Sequence, residues 1–124
     1  MNGFLRVLAV SCWIAAVAHV ARAAEQTWAG TISDSMCGAS HAAMRAHGEK
    51  VSDRECTLTC VSYGTPGAPK YVLVSAGKVY PIANQKFPGL GRRAGDAIRL
   101  TGDLDSTSGA ITVSKLEAAN AKAK

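Results

Sequence analysis

Residues 96–104, DAIRLTGDL, decide the fold of this chain, because apolar and polar residues alternate along them. The apolar face of the segment holds Ile98, Leu100 and Leu104. The polar face holds Arg99, Thr101 and Asp103. A period of two residues is typical of a β-strand with one face against a core and the other toward water. The segment therefore predicts a strand of a one-sided sheet.

Four more segments have strand patterns: residues 26–33, 70–75, 78–83 and 110–116. The dipeptide Ala76-Gly77 joins the second and third of them and predicts a hairpin. Pro81 has no backbone N–H, so the third segment is predicted to be an edge strand or to be interrupted. Residues 84–95 are rich in glycine and other turn-prone residues and predict a loop.

Two short helices are predicted between the first and second strands. Residues 39–46 are rich in Ala and Met, and Gly48 ends them. Ser52 and Glu55 have the spacing of a capping box, which predicts a second helix over residues 53–63.

Five strands around this helical segment predict a mainly β (α+β) fold. We expect a small antiparallel OB-like β-barrel with a short two-helix, Cys/His-bearing insertion after its first strand. Residues 24–117 are expected to form a single domain, and residues 118–124 a flexible C-terminal tail.

The amino terminus, residues 1–23, has the three parts of a cleavable signal peptide. A short start carrying Arg6 precedes an apolar run of about 14 residues, which is shorter than the roughly 20 that span a bilayer. The triplet Ala21-Arg22-Ala23 suits cleavage before Ala24. Residues 9–12 faintly resemble a lipobox, but too few residues precede Cys12 for an apolar region. The sequence therefore predicts export, to the periplasm or the extracellular space, with no stable membrane span after cleavage.

The charge of the chain argues against nucleic-acid binding. Loss of Arg6 and Arg22 with the signal peptide would leave 12 basic and 9 acidic residues, a net charge near +3. These charges are scattered, whereas a surface that follows phosphates needs a basic patch. The sequence identifies no other partner.

The cysteines are the most informative feature. Cleavage would remove Cys12 and leave an odd number, namely Cys37, Cys56 and Cys60. In an exported chain an odd number means a free thiol, an intermolecular bridge or a metal site.

The spacing of these cysteines predicts a metal site. Cys56 and Cys60 share one face of a helix, and Cys37 and His41 would do so if the first helix began early enough. Two such pairs supply the four ligands of a tetrahedral Zn(II) site. Met36 and Met44 lie beside the first pair and favour Cu(I), and His47 is a spare donor. The predicted ligands of this Cu(I) or Zn(II) site are Cys37, His41, Cys56 and Cys60.

Two alternatives remain open. A disulfide from Cys37 to Cys56 or Cys60 would close a loop of about 20 residues, gain roughly 3 kcal/mol and leave one free thiol. A bridge between Cys56 and Cys60 would distort their helix, since i,i+4 Cβ atoms lie about 5–6 Å apart and a disulfide needs about 3.8 Å. A thiol-disulfide oxidoreductase using this pair would need a lowered thiol pKa.

The chain resembles a family of small exported bacterial proteins of uncharacterised function, the DUF5818-like group. The matching pieces cover most of residues 27–113 and are GTISDSMCGASH, DRECTLTCV, KYVLVSAGKVYPIAN, GDAIRLTGDL and ITVSKL. The resemblance implies export, a small β-rich fold and a characteristic Cys/His pattern, and it implies no activity.

Catalytic motifs are lacking in the sequence. It has no glycine-rich phosphate loop, no serine elbow and no convincing pair of carboxylates, so we assign no catalytic or organic-cofactor residue. An exported binding or structural module is favoured over an enzyme. An oligonucleotide or saccharide binder is disfavoured, because few aromatic residues remain for a stacking surface.

Overall fold

The computed structural model describes residues 24–46, 48 and 50–121. The predicted signal peptide, residues 1–23, and His47 lie outside these residues. The elements are β1 (Gln26–Asp34), α1 (Ala42–Ala46), α2 (Asp53–Ser62), β2 (Tyr71–Ser75), β3 (Lys78–Pro81), a 3-10 turn (Gly91–Arg93), β4 (Ala97–Leu104) and β5 (Ile111–Ala118). None of the described helices is long and apolar enough to cross a membrane.

The five strands form one antiparallel sheet in the order β3-β2-β1-β4-β5, which confirms the mainly β prediction. β1 is the central strand, because its nine residues pair with two different strands along its length. Its first part pairs with β4, as in Trp28 with Leu100, and its last part pairs with β2, as in Ile32 with Leu73. Gly30 lies near the point where β1 changes from pairing with β4 to pairing with β2. A Cβ at this position would lie 2.2 Å from the Val74 carbonyl oxygen. β1 therefore ends at Asp34 with its last residues deep in the fold.

The alternation in residues 96–104 is confirmed in the core. Ile98 and Leu100 are fully buried, together with Ile32, Leu73 and Ile111 from the other strands. Leu104 is only half-buried and packs against this cluster, after a β-bulge between Thr101 and Gly102 that shifts the register. The bulge adds a residue to one strand and turns the following side chains.

The predicted closed barrel is wrong for the described residues. The chain just after β3 meets β5 at a parallel bridge between Ile82 and Ile111, where the Ala83 N–H donates to the Ile111 carbonyl (2.9 Å). Next to it, the side-chain amide of Asn84 hydrogen-bonds to the Val113 backbone (2.8 Å). β3 ends after four residues at Pro81, which has no N–H to extend a ladder. The sheet is consequently open along most of this seam.

The chain between β1 and β2, residues 35–70, carries both helices and is called the insertion below. The capping box of α2 is confirmed: the Glu55 N–H donates to Ser52 Oγ (3.2 Å) and the Ser52 N–H donates to Glu55 Oε2 (2.9 Å). The start of α2 docks on the chain before β4, because Arg54 Nη1 donates to the Arg92 carbonyl (2.6 Å). At Gly95 a Cβ would stand 2.8 Å from the Arg54 nitrogen, so the two backbones are in close contact there.

The first helix is shorter than predicted, since it begins at Ala42 and not at residue 39. The preceding residues form turns, because Asp34 Oδ1 accepts the N–H groups of Met36 (3.0 Å) and Cys37 (2.9 Å). An Asp side chain that bonds backbone two and three residues ahead competes with helix formation. Cys37 therefore lies in a turn, and it does not share a helix face with His41.

The described residues of the carboxyl terminus contact the neighbouring strand β4. β5 continues through Ala118, and Arg99 Nη2 donates to the Ala121 carbonyl (2.7 Å). Residues 122–124 of the predicted tail lie outside the described residues.

Candidate metal centre

Asp34 is the hub of a buried polar cluster at the end of β1. Its side chain is fully buried, and both carboxylate oxygens are engaged. Oδ1 accepts the two turn N–H groups described above, while Oδ2 accepts the Thr57 hydroxyl (3.3 Å) and lies 3.2 Å from His41 Nε2. A carboxylate can be buried when hydrogen bonds replace the water it loses, and these contacts supply them.

His41 lies between two carboxylates. It is 6% exposed, and its Nε2 faces both Asp34 Oδ2 (3.2 Å) and Thr57 Oγ1 (3.3 Å). On the other side of the ring, Nδ1 lies 3.5 Å from Asp53 Oδ1. Asp53 is held in place by Arg45, whose Nη1 donates to the same oxygen (2.6 Å). The orientation of the imidazole is therefore fixed from both edges.

Cys37 and Cys56 bring two sulfur atoms to the same cluster. Their Sγ atoms are 3.8 Å apart, with Cys37 in the turn after β1 and Cys56 in the first turn of α2. The capping box that fixes the start of α2 also fixes Cys56. All three cysteines of the described residues, Cys37, Cys56 and Cys60, are free thiols, so the disulfide alternative is not seen here.

Four donor atoms meet at this point. One oxygen of Asp34, one ring nitrogen of His41 and the Sγ atoms of Cys37 and Cys56 all lie within 4.8 Å of one another. The ligands of a tetrahedral Zn(II), with bonds of about 2.0–2.3 Å, lie roughly 3.3–3.8 Å apart. The observed Sγ–Sγ distance of 3.8 Å and Nε2–Oδ2 distance of 3.2 Å are already close to that range. Small side-chain movements would suffice to bring all four onto one ion.

The structure brings together three of the four predicted ligands and adds one that the sequence reasoning missed. Cys37, His41 and Cys56 are in the cluster, and Asp34 joins them, whereas Cys60 is not among its four members. The sequence did contain a signal for Asp34, which stands three residues before Cys37 at the end of a predicted strand. An Asp at such a position can form a turn with its side chain and can also bind a metal.

The electrostatics of the cluster disfavour free thiolates. Burial, followed by the hydrogen bond with Cys56 and the negative charge of Asp34, raises the pKa of Cys37 from 9.0 to about 12. The pKa of Cys60 is also raised, by burial first and then by the charges of Asp34 and Cys56. Thiols with raised pKa values are poor nucleophiles at neutral pH. A bound cation would reverse the balance, because a metal ion deprotonates a coordinating thiol.

No protein-family model, curated protein or solved structure matches this chain. Membership of the DUF5818-like group therefore stays a prediction. The donor atoms and their surroundings are the features from which a function can be argued.

Proposed function

We propose that this chain is a small exported binding or structural module that holds one divalent ion, Zn(II), through Asp34, Cys37, His41 and Cys56. The observation that carries the proposal is the convergence of these four donor atoms within 4.8 Å at the buried end of β1. Asp34 is the last residue of β1, and Cys37 lies in the turn that follows it. His41 directly precedes α1, and Cys56 lies in the first turn of α2. An ion there would join the sheet to the whole insertion.

The donor set favours Zn(II) over Cu(I). Zn(II) accepts thiolate, imidazole and carboxylate ligands together, whereas Cu(I) is selected by soft thiolate and thioether ligands and not by carboxylates. The sequence by itself leaves both metals open, and the carboxylate of Asp34 decides between them. Asp34 Oδ2 and His41 Nε2 face each other at 3.2 Å, so both atoms are placed to bind one ion.

The surroundings of the four ligands also fit a metal. Asp53 stands 3.5 Å from the outer nitrogen of His41, as a carboxylate does in carboxylate–histidine–zinc arrangements. Such a partner fixes the ring and makes the imidazole a better ligand. Thr57 donates to Asp34 and limits its rotation.

Four protein ligands indicate a structural role. A catalytic Zn(II) site keeps one position for water or substrate, and a structural site does not. Structural zinc binds with an apparent free energy on the order of 10 kcal/mol, and the stability gained in the folded chain rises with the free zinc concentration. The insertion needs such help, since Thr57, Thr59 and Val61 within α2 have poor helix propensity.

The strand order supports an open OB-like architecture as part of the proposal. Extending the bridge between Ile82 and Ile111 would complete a circle of β1, β2, β3, β5 and β4. That arrangement would put the Cys/His insertion at one end of the curved sheet, away from its edges.

Export through the amino-terminal signal peptide is also part of the proposal. It is supported by the charged start, the apolar run and the small residues before Ala24. Intact-mass measurement on protein recovered from the periplasm or medium of a bacterial host should give a chain beginning at Ala24. A secreted species that retains Cys12 would contradict this part.

A second candidate is a thiol-disulfide oxidoreductase, and the 3.8 Å separation of the Cys37 and Cys56 sulfur atoms favours it. The raised pKa values of Cys37 and Cys60 oppose it, because redox enzymes lower the pKa of the attacking thiol. Catalysis of insulin reduction by the metal-free chain, lost on Cys37→Ser substitution, would promote this candidate over the zinc proposal.

The test of the zinc proposal is metal analysis on anaerobically purified chain. We expect one Zn(II) per chain by elemental analysis, together with two thiols, those of Cys37 and Cys56, that become alkylatable only after chelation. Asp34→Asn and His41→Gln should each lower zinc affinity by about 100-fold or more, since each removes a direct ligand. Asp96→Asn is the matched control, because it removes an exposed carboxylate outside the cluster. A wild-type chain that retains no zinc and binds added zinc no better than the His41→Gln variant would refute the proposal.

A further inference from the structure

A cavity of about 370 Å³ adjoins the proposed zinc centre and shares Cys56 with it. Four of its lining residues carry sulfur: Met36, Met44, Cys56 and Cys60. Tyr63 and Val51 add further apolar surface. Every methionine and cysteine of the described residues except Cys37 thus lines one cavity.

Two features of this cavity are unexplained by the zinc proposal. Cys60 is a nearly buried thiol that the four-ligand cluster does not use, and it follows Cys56 by one turn of α2. Met36 is 67% exposed, although an apolar side chain of this size is usually buried. Its exposure follows from the turn that Asp34 imposes, and it leaves a thioether at the rim of the cavity.

The side chains that line the cavity favour a soft metal ion over a harder one. Thiolates and thioethers are soft ligands that favour Cu(I), whereas carboxylate and imidazole ligands suit harder ions. Among the described residues that line the cavity there is no carboxylate and no imidazole. The oxygen and nitrogen donors of the neighbouring cluster, Asp34 and His41, belong to the zinc centre instead.

We propose that this cavity is a second metal site, which binds Cu(I) through Cys56 and Cys60 with Met36 and Met44 as thioether ligands. Binding releases the two thiol protons to solvent and changes no oxidation state. Because Cys56 is also a ligand of the proposed zinc centre, Cu(I) in the cavity competes with Zn(II). The competition rests on the proposed function, but the Cu(I) site itself does not.

The test is anaerobic titration of the metal-free chain with Cu(I) buffered by a chromophoric Cu(I) chelator. The Met36→Leu/Met44→Leu double variant is the main probe, because Met-to-Leu exchange conserves volume and is well tolerated in folded proteins. We expect Cu(I) affinity to fall about tenfold or more in this variant and further in Cys60→Ser, since each removes sulfur ligands. Zinc affinity of the double variant should stay within about twofold of wild type.

The matched control is His41→Gln, which should lose zinc and keep Cu(I). An unchanged Cu(I) affinity in the Met36→Leu/Met44→Leu variant overturns the proposal. Equal loss of Cu(I) in His41→Gln and Cys60→Ser also overturns it, because the ion would then lie in the zinc centre. If the chain bound Cu(I) through the methionines but had no affinity for zinc, the Cu(I) site would be supported and the proposed zinc function refuted. Failure of the Cu(I) site and failure of the zinc function are therefore distinguishable.

Discussion

The sheet and the insertion are stabilised by different interactions. The sheet buries aliphatic side chains from β1, β2, β4 and β5, among them Ile32, Leu73, Ile98, Leu100 and Ile111. Its backbone groups pair across antiparallel ladders, with one bulge between β4 and β5. The insertion holds two short helices, and α1 has no buried residue. What the insertion buries is polar or ionisable, namely the imidazole of His41, the hydroxyl of Thr57 and the thiols of Cys56 and Cys60. The imidazole and the hydroxyl contact the buried carboxylate of Asp34 at the end of β1.

A bound metal is expected to stabilise the insertion more than the sheet. Apolar burial is favourable without any bound ligand, at roughly 25 cal/mol per Å², so this contribution to the stability of the sheet does not depend on a metal. A buried polar cluster gains little by itself, because hydrogen bonds in the protein replace hydrogen bonds to water. A metal ion changes this balance for the insertion only. We therefore expect perturbations of the sheet to act regardless of metal and perturbations of the insertion to depend on it.

The largest effect expected from a single substitution is in the sheet. Leu100→Ala removes a fully buried side chain beside β1 and should lower the free energy of unfolding by about 2–5 kcal/mol. Urea unfolding of chain with and without zinc should give the same loss in both forms. Leu104→Ala is the matched control, since Leu104 is only half-buried and its loss should be smaller. If the loss in free energy of unfolding caused by Leu100→Ala differed between the zinc-bound and zinc-free chain, the sheet would not be independent of the metal.

Zinc removal should act on the insertion. With free zinc about 100-fold above its dissociation constant, the bound form gains about 2.7 kcal/mol over the metal-free form. Hydrogen exchange followed by mass spectrometry should show faster exchange in α2 and the turn after Asp34 on chelation, with β4 and β5 unchanged. Equal acceleration in the sheet would mean that the ion stabilises the whole domain.

The pH dependence of the metal-free chain follows from Cys37. Its pKa is 9.0 in the unfolded chain and about 12 in the folded chain, so folding favours the protonated thiol. This contribution to stability is complete below pH 9 and is lost as the pH rises toward 12. The groups that face Cys37 and oppose its ionisation are Asp34, Cys56 and Cys60.

Urea unfolding of the metal-free chain at pH 8 and pH 10 measures this loss, with Cys37→Ser as the control that lacks the titrating group. The wild type should lose more stability than Cys37→Ser between these pH values, whereas zinc affinity should rise with pH, because the metal binds thiolates. Equal losses in wild type and control would show that the Cys37 thiol does not favour its protonated form in the fold.

The smallest expected effect is at the helix cap. Ser52→Ala removes the hydroxyl that accepts the Glu55 N–H and should cost about 1 kcal/mol. The cost should be visible in hydrogen exchange of α2 in the metal-free chain and reduced in the zinc-bound chain, where Cys56 ties the same turn to the ion. Ser62→Ala, at the far end of α2, is the control. If Ser52→Ala accelerated hydrogen exchange more in β2 or β4 than in α2, Ser52 would not act mainly as the cap of α2.

Sequence patterns predicted the sheet well because strand periodicity is local. Two local patterns are confirmed: the alternation of Ile98, Arg99 and Leu100, and the capping box at Ser52. Each involves only a few neighbouring residues. Barrel closure was predicted wrongly because it depends on how far β3 runs beside β5, and the two strands are distant in the chain.

The candidate site was predicted in part for a similar reason. Helical spacing placed Cys56 and Cys60 on one face, but spacing does not say which thiol meets a residue from another element. Asp34 was missed because its role depends on the turn it builds with Met36 and Cys37 and on Thr57 from α2. The same turn keeps Cys37 out of the helix that the i,i+4 spacing predicted.

We propose that Asp34, and not Cys60, is the fourth ligand of the metal centre. X-ray absorption spectroscopy at the zinc edge of the zinc-loaded chain measures this directly. We expect two sulfur ligands at about 2.3 Å and two nitrogen or oxygen ligands at about 2.0–2.1 Å. Three sulfur ligands and one nitrogen ligand would contradict it, because that shell corresponds to Cys37, His41, Cys56 and Cys60.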